Sequence, residues 1–209
     1  MRPVQDMRKG LNFAAPGPEG LVVALGASTG GTQSTARILR ALPDNFPALL
    51  IVQHMPPTFT RMYAENLDKE CALSVKEARD GDPVRPGQVL IAPGDAHMRL
   101  VRRSDGYQVT CAKGAKVNGH CPAVDELFFS VAEYAGPRAL GVILTGMGDD
   151  GARGLCAMRR NGAYTIGQDE ATCVVYGMPR EAYERGGVVR QAPLNQIPNL
   201  LLQHCLAMR

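Results

Sequence analysis

The sequence predicts an α/β fold: a doubly wound, mainly parallel sheet with helices on both faces and a small antiparallel hairpin insert. Three observations lead there. Nearly continuous apolar runs such as Leu21-Val22-Val23-Ala24-Leu25 and Ala139-Leu140-Gly141-Val142-Ile143-Leu144-Thr145 suit strands buried on both sides, as in a parallel sheet covered by helices. Such runs alternate along the chain with stretches of helical periodicity, the order that builds βαβ units. One region breaks the alternation: two β-patterned runs, 97–101 and 107–111, flank Ser104-Asp105-Gly106, a turn too tight for a crossover helix.

Element by element, the leader over residues 1–20 is polar and ends in Ala14-Ala15-Pro16-Gly17-Pro18-Glu19-Gly20, a composition that favours an extended linker. A strand at 21–25 opens the folded domain, expected to run over 21–209. A helix from about 32 to 41, a strand at 48–53 and a helix from about 58 to 70 complete a βαβα beginning. Gln88-Val89-Leu90-Ile91-Ala92-Pro93 reads as the next strand and leads into the hairpin. Then come a helix around 123–135, the strongest strand at 139–145, and a helix from about 150 to 160. A strand at 164–167, a helix near 178–185 and a strand at Val188-Val189 follow. Ile197, Leu200, Leu201 and His204 stand at helical spacing and predict a terminal helix.

With 209 residues, 45% of them hydrophobic, the chain is long enough for one α/β domain with a sizeable core. A formal charge of +3 is far from the concentrated basic face of a nucleic-acid binder. The six cysteines contain no C-x-x-C pair, in keeping with reduced cytosolic thiols. No stretch reaches the roughly 20 apolar residues of a membrane span, and the start lacks a secretory apolar region. A cytoplasmic protein with no membrane insertion is expected.

In such a fold ligands gather at the carboxyl edge of the strands. Ser28, in Gly26-Ala27-Ser28-Thr29-Gly30-Gly31, follows the first strand on a G-x-S-x-G turn, where a hydroxyl is accessible as a nucleophile. His54 follows the second strand and is the best available base, its approach stiffened by Pro56-Pro57. His97 and His120 lie in or beside the insert, and His204 on the terminal helix. Asp149 and Asp150 follow the strongest strand. Capping the next helix and orienting a histidine are both open to either aspartate, and spacing does not choose. Backbone N–H groups of Thr29 and of Gly146-Met147-Gly148 suit an oxyanion, since both segments turn at helix N-termini.

Rival chemistries lack their residues. A phosphate-binding P-loop needs lysine where Gly31 is followed by Thr32, and a dinucleotide site expects an acid where the second strand ends in Gln53-His54. Cys121 adjoins His120, but adjacent residues seldom aim at one another. The order Ser, His, Asp along the chain separates this serine chemistry from α/β-hydrolases, which run Ser, Asp, His.

From about Leu21 to the terminal helix the chain resembles the catalytic domain of the chemotaxis protein-glutamate methylesterases, the CheB type. The resemblance rests on Gly26 to Gly31, Gln53-His54-Met55-Pro56, Ser74-Val75-Lys76-Glu77-Ala78, Ile91 to Met98, Val142 to Gly148, and Tyr176-Gly177-Met178-Pro179-Arg180. It implies Ser28, His54 and Asp150 as the catalytic triad, the backbone of Met147 and Thr29 as the oxyanion hole, and no cofactor or metal. It further implies hydrolysis of glutamate γ-methyl esters on the cytoplasmic helices of chemoreceptors, with receptor glutamines deamidated as a second reaction. Many members carry arginine where this chain has Cys121. Members also typically carry a receiver domain, for which a leader of 20 residues is too short. The expectation is therefore a separate or excised catalytic domain whose control lies outside it. Two alternatives stand beside this one: an idle adaptor holding receptor helices through Lys113 and Lys116, and a hydrolase of a different methylated protein.

Overall fold

The computed structural model describes residues 20–208, so the expected leader lies, Gly20 apart, outside the described residues. Nine strands and six α-helices follow one another in the order β1 (Val22–Ala27), α1 (Gly31–Leu39), β2 (Ala48–Gln53), α2 (Pro57–Glu70), β3 (Ser74–Glu77), β4 (Gln88–Ile91), β5 (His97–Arg103), β6 (Gly106–Ala112), α3 (Val124–Tyr134), β7 (Ala139–Ile143), α4 (Ala152–Arg160), β8 (Tyr164–Gln168), α5 (Met178–Glu184), β9 (Arg190–Ala192) and α6 (Ile197–Ala207).

Seven strands form one sheet in the order β3-β4-β2-β1-β7-β8-β9, every neighbouring pair parallel. The remaining two, β5 and β6, pair antiparallel as the expected hairpin. All six residues of β1 and all six of β2 are buried, because side chains alternate between two covered faces. Val23, Leu25, Leu49 and Ile51 face a core built with Ile38 and Leu39 of α1, Leu67 of α2, and Ile197 and Leu201 of α6. Val22, Ala24, Leu50 and Val52 face the other, built with Val124, Leu127 and Phe128 of α3, Leu155 of α4, Met178 of α5 and Met98 and Leu100 of the hairpin.

The split of helices follows from handedness. From β1 the chain first moves toward β3 at one edge, then returns past β1 to β7 and continues to β9 at the other. Right-handed crossovers travelling in opposite directions must lie on opposite faces. The reversal leaves a crevice at the carboxyl ends of β1 and β7, the topological switch point at which such folds bind ligands.

Two local readings need correction. Ser74–Glu77, met in the sequence only as a motif, is the edge strand β3; it is short and polar, and only Val75 of its four residues is buried. The last strand is Arg190–Ala192, not Val188-Val189. Val188 is apolar because it packs into the core from the preceding loop, while Val189 is 45% exposed.

Candidate active site

Ser28 follows β1 and opens a four-residue turn. Its N–H donates to the Thr145 carbonyl at 3.0 Å, and its own carbonyl accepts from Gly31 N–H at 2.8 Å. The left-handed conformation the turn needs falls on Gly30, at φ 79°, where a Cβ would lie 2.6 Å from Val174. Ser28 itself is thus spared backbone strain. Gly146 lets the loop after β7 pass beside the serine, since a Cβ there would come within 2.7 Å of the Ser28 Cβ.

His54 carries the β1–β2 ladder one step beyond Ala27↔Gln53: its N–H donates to the Ala27 carbonyl at 3.0 Å. Ser28 and His54 therefore stand on neighbouring chain segments. Gln53, buried at the end of β2, joins them from below, its Nε2 donating to the Ser28 carbonyl at 2.9 Å and the His54 carbonyl at 3.2 Å. His54 Nε2 lies 2.7 Å from Asp150 Oδ2, and both side chains are almost wholly out of water, 7% and 1% exposed. The other ring nitrogen, Nδ1, is buried with no hydrogen-bond partner among the described residues. A proton held on Nε2 by the carboxylate leaves Nδ1 as the basic lone pair, so the two nitrogens exchange the roles they have in the usual triad.

Asp150 does not cap the helix it precedes. Its carboxylate sits at the start of α3, where Val124 N–H donates to Oδ2 at 2.7 Å and Asp125 N–H to Oδ1 at 3.1 Å. Asn118 Nδ2 adds a bond to Oδ1 at 2.9 Å. Burial pushes the Asp150 carboxyl up, but the hydrogen bonds from His54, Asn118, Val124 and Asp125 outweigh it and hold the group below the usual carboxylate value. The companion Asp149 is half exposed and pairs with Arg185 at 2.8 Å. Gly151, with no side-chain cap, precedes α4, and it is Asp125 of α3 that accepts from Gly154 N–H of α4 at 2.7 Å.

Among the described residues, the backbone N–H groups of Thr29 and Met147 have no hydrogen-bond partner. Met147 is 74% exposed. Thr145, fully buried at the foot of both turns, donates its hydroxyl to the Thr29 carbonyl at 3.0 Å and accepts from Val175 N–H at 2.9 Å. One groove of about 380 Å³ runs past His54, Asp95, Lys116 and His120, and another of about 530 Å³ past Met147, Tyr176 and Arg180. Among the described residues no group of three or more His, Cys, Asp or Glu is placed to hold a metal ion. No described helix is long and apolar enough to cross a membrane.

The structure thus brings Ser28, His54, Asp150, Thr29 and Met147 to one edge of the sheet. It adds His120, whose ring stacks on His54 with centroids 3.7 Å apart, and Asn118, Asp125, Gln53 and Thr145, none of which the sequence reading assigned to the site. Asn118-Gly119 between Val117 and His120 was a legible signal, a dipeptide typical of two-residue hairpin turns. His97, by contrast, is buried in structural bonds to Ala115 and Ala123. His204 stacks on Tyr164 near the terminus. Burial pushes the Cys121 thiol up, which keeps it protonated and poorly nucleophilic.

Residues 23–201 match the sequence profile of the CheB methylesterase family. The chain belongs to that family. It is 60% identical over 183 residues to protein-glutamate methylesterase/protein-glutamine glutaminase 2 of Syntrophomonas wolfei, covering 88% of this chain and 54% of the relative. A protein-glutamate methylesterase/protein-glutamine glutaminase of Yersinia pestis is 58% identical over 181 residues, covering 87% and 52%. The chain spans about half the length of the curated relatives it matches. The crystal structure of the Thermotoga maritima CheB methylesterase catalytic domain is similar with a TM-score of 0.87 at 42% identity, covering 89% of this chain and 99% of that one. The CheB methylesterase fold expected from the sequence is therefore the fold observed.

Proposed function

We propose that this chain is a serine hydrolase that removes methyl groups from glutamate γ-methyl esters on the cytoplasmic helices of chemoreceptors and deamidates receptor glutamines by the same steps. The observation that carries the reading is the buried His54–Asp150 pair at 2.7 Å, set beside the Ser28 turn at the switch point. The names of its relatives support the substrate. His54 Nδ1 takes the Ser28 proton as Oγ bonds to the ester carbonyl carbon, and the oxyanion rests on the N–H groups of Thr29 and Met147. Collapse breaks the bond to the methoxy oxygen, which receives the proton from His54 and leaves as methanol. Water, deprotonated by His54, then attacks the acyl-serine and returns Ser28 and a free glutamate. With glutamine the leaving group is ammonia. Asp150 holds Nε2–H in place and stabilises the transient imidazolium.

No step calls on a cofactor or metal. The reading carries a cytoplasmic place of action, with a receiver domain as the regulatory partner in a two-component pathway. The test is Ser28→Ala: methanol release from methylated receptor and labelling by an alkyl fluorophosphonate are both expected to vanish while the circular dichroism spectrum is kept. Undiminished release by that variant would overturn the assignment, and labelling without release from any receptor would point to another methylated protein.

A further inference from the structure

We propose that the hairpin Val117–His120 is a positioning flap of the active site, Asn118 fixing the carboxylate of Asp150 and His120 fixing the plane of the His54 ring; this rests on the serine-hydrolase reading above. Val117 and His120 exchange two backbone hydrogen bonds of 2.9 Å, and Asn118 and Gly119 both have positive φ, 52° and 81°. That is the two-residue turn in which an Asn-Gly pair is favoured. It sends two neighbouring side chains onto two different members of the catalytic group.

Asn118 stands between two buried carboxylates. Its Nδ2 donates one hydrogen to Asp150 Oδ1 at 2.9 Å and the other to Asp125 Oδ2 at 2.8 Å. Its Oδ1 accepts from Arg153 Nη2 at 2.9 Å, and Arg153 Nε reaches Asp125 Oδ2 at 3.2 Å. The amide uses both hydrogens where neither carboxylate can donate, so it bridges like charges that would otherwise repel. With the N–H groups of α3 on its other side, Asp150 has no freedom to rotate away from His54.

His120 covers the open face of His54, the rings stacked within 7° of parallel. A ring so placed blocks tilting of the imidazole, and tilt would swing Nε2 off Asp150 and turn away Nδ1, the atom that takes the Ser28 proton in the mechanism proposed above. Burial lowers the pKa of His120, its neighbours His54 and Lys116 add to that and Asp150 opposes it, a balance that favours the uncharged ring such a cover needs. The stem of the flap is pinned by His97, whose Nε2 lies 2.8 Å from the Ala115 carbonyl and whose Nδ1 accepts from Ala123 N–H at 3.2 Å.

The test reads the rate of Ser28 labelling by an alkyl fluorophosphonate, separated into the saturating rate kinact and the probe constant KI, with thermal melting as a fold control. Asn118→Gly keeps the positive φ and deletes the amide; His120→Ala deletes the ring and His120→Phe restores an aromatic plane. Asn118→Gly and His120→Ala are each expected to lower kinact about tenfold or more with KI unchanged, the scale expected of misplaced reacting groups. His120→Phe should recover most of the His120→Ala loss. Wild-type kinact in Asn118→Gly or His120→Ala, a loss confined to KI or tracking a collapse in melting temperature, or a phenylalanine variant no better than alanine, overturns the flap. A wild-type protein that does not label at all overturns the serine-hydrolase reading, and the flap with it.

Discussion

Asp150 accepts four hydrogen bonds while almost wholly removed from water, and that combination sets its expected behaviour under mutation and acid. Asp150→Asn keeps the shape but no longer holds Nε2–H, so the rate of methanol release should fall by about 10⁴-fold. Asp149→Asn breaks only an exposed pair with Arg185 and should stay within about 0.5 kcal/mol of wild-type stability with activity near wild type. The reverse order would exchange the roles of the two aspartates. Because the folded carboxyl is depressed, the unfolded state takes up the proton first. The Asp150 contribution to stability is therefore complete above the unfolded value of about 3.9 and is lost as pH falls through the lower folded value. Melting temperatures recorded downward through that window should fall more steeply for wild type than for Asp150→Asn. The local pattern could name both aspartates as candidates because both follow a strand end, but it could not rank them; the family resemblance pointed to Asp150 without giving a physical reason. What ranks them is the N-terminus of a helix 26 residues earlier in the chain.

At the scale of elements, α3 and α4 cap one another. Asp150, just before α4, accepts from the first N–H groups of α3, and Asp125, in the first turn of α3, accepts from Gly154 N–H of α4. Each carboxylate also gains from the positive end of the neighbouring helix. Asp125→Ala leaves that N–H unmatched in a buried site and should cost about 1–3 kcal/mol in denaturant unfolding. It should also slow catalysis, since Asp125 holds Asn118. The start of α3 was legible from its apolar periodicity to within a residue or so. The caps were not, because a capping rule looks for its side chain just before its own helix and here the partner comes from another one. β3 escaped for a related reason: an edge strand with one covered face carries too few apolar residues to announce itself.

Across the whole molecule, the two cores divide the helices three and three about a sheet whose central strands are closed to water on both faces. Phe128, fully buried, packs in the core that also holds Val124 beside Asp150. Phe128→Ala should lower unfolding free energy by about 3–5 kcal/mol in chemical denaturation. A loss below about 1 kcal/mol would mean that this face collapses freely around the gap. The apolar runs by themselves determined the class of fold, the parallel sheet and the edge where Ser28, His54 and the aspartates would meet, since burial on both faces and period are properties of neighbouring residues. Only the tertiary structure decided how Asp150 is held against His54, which ring nitrogen faces the carboxylate, and that Asn118 and His120 close over the pair. The physical reason is that hydrogen bonds and ring contacts between residues tens of positions apart depend on where separate loops are carried by the sheet, a relation no local pattern encodes.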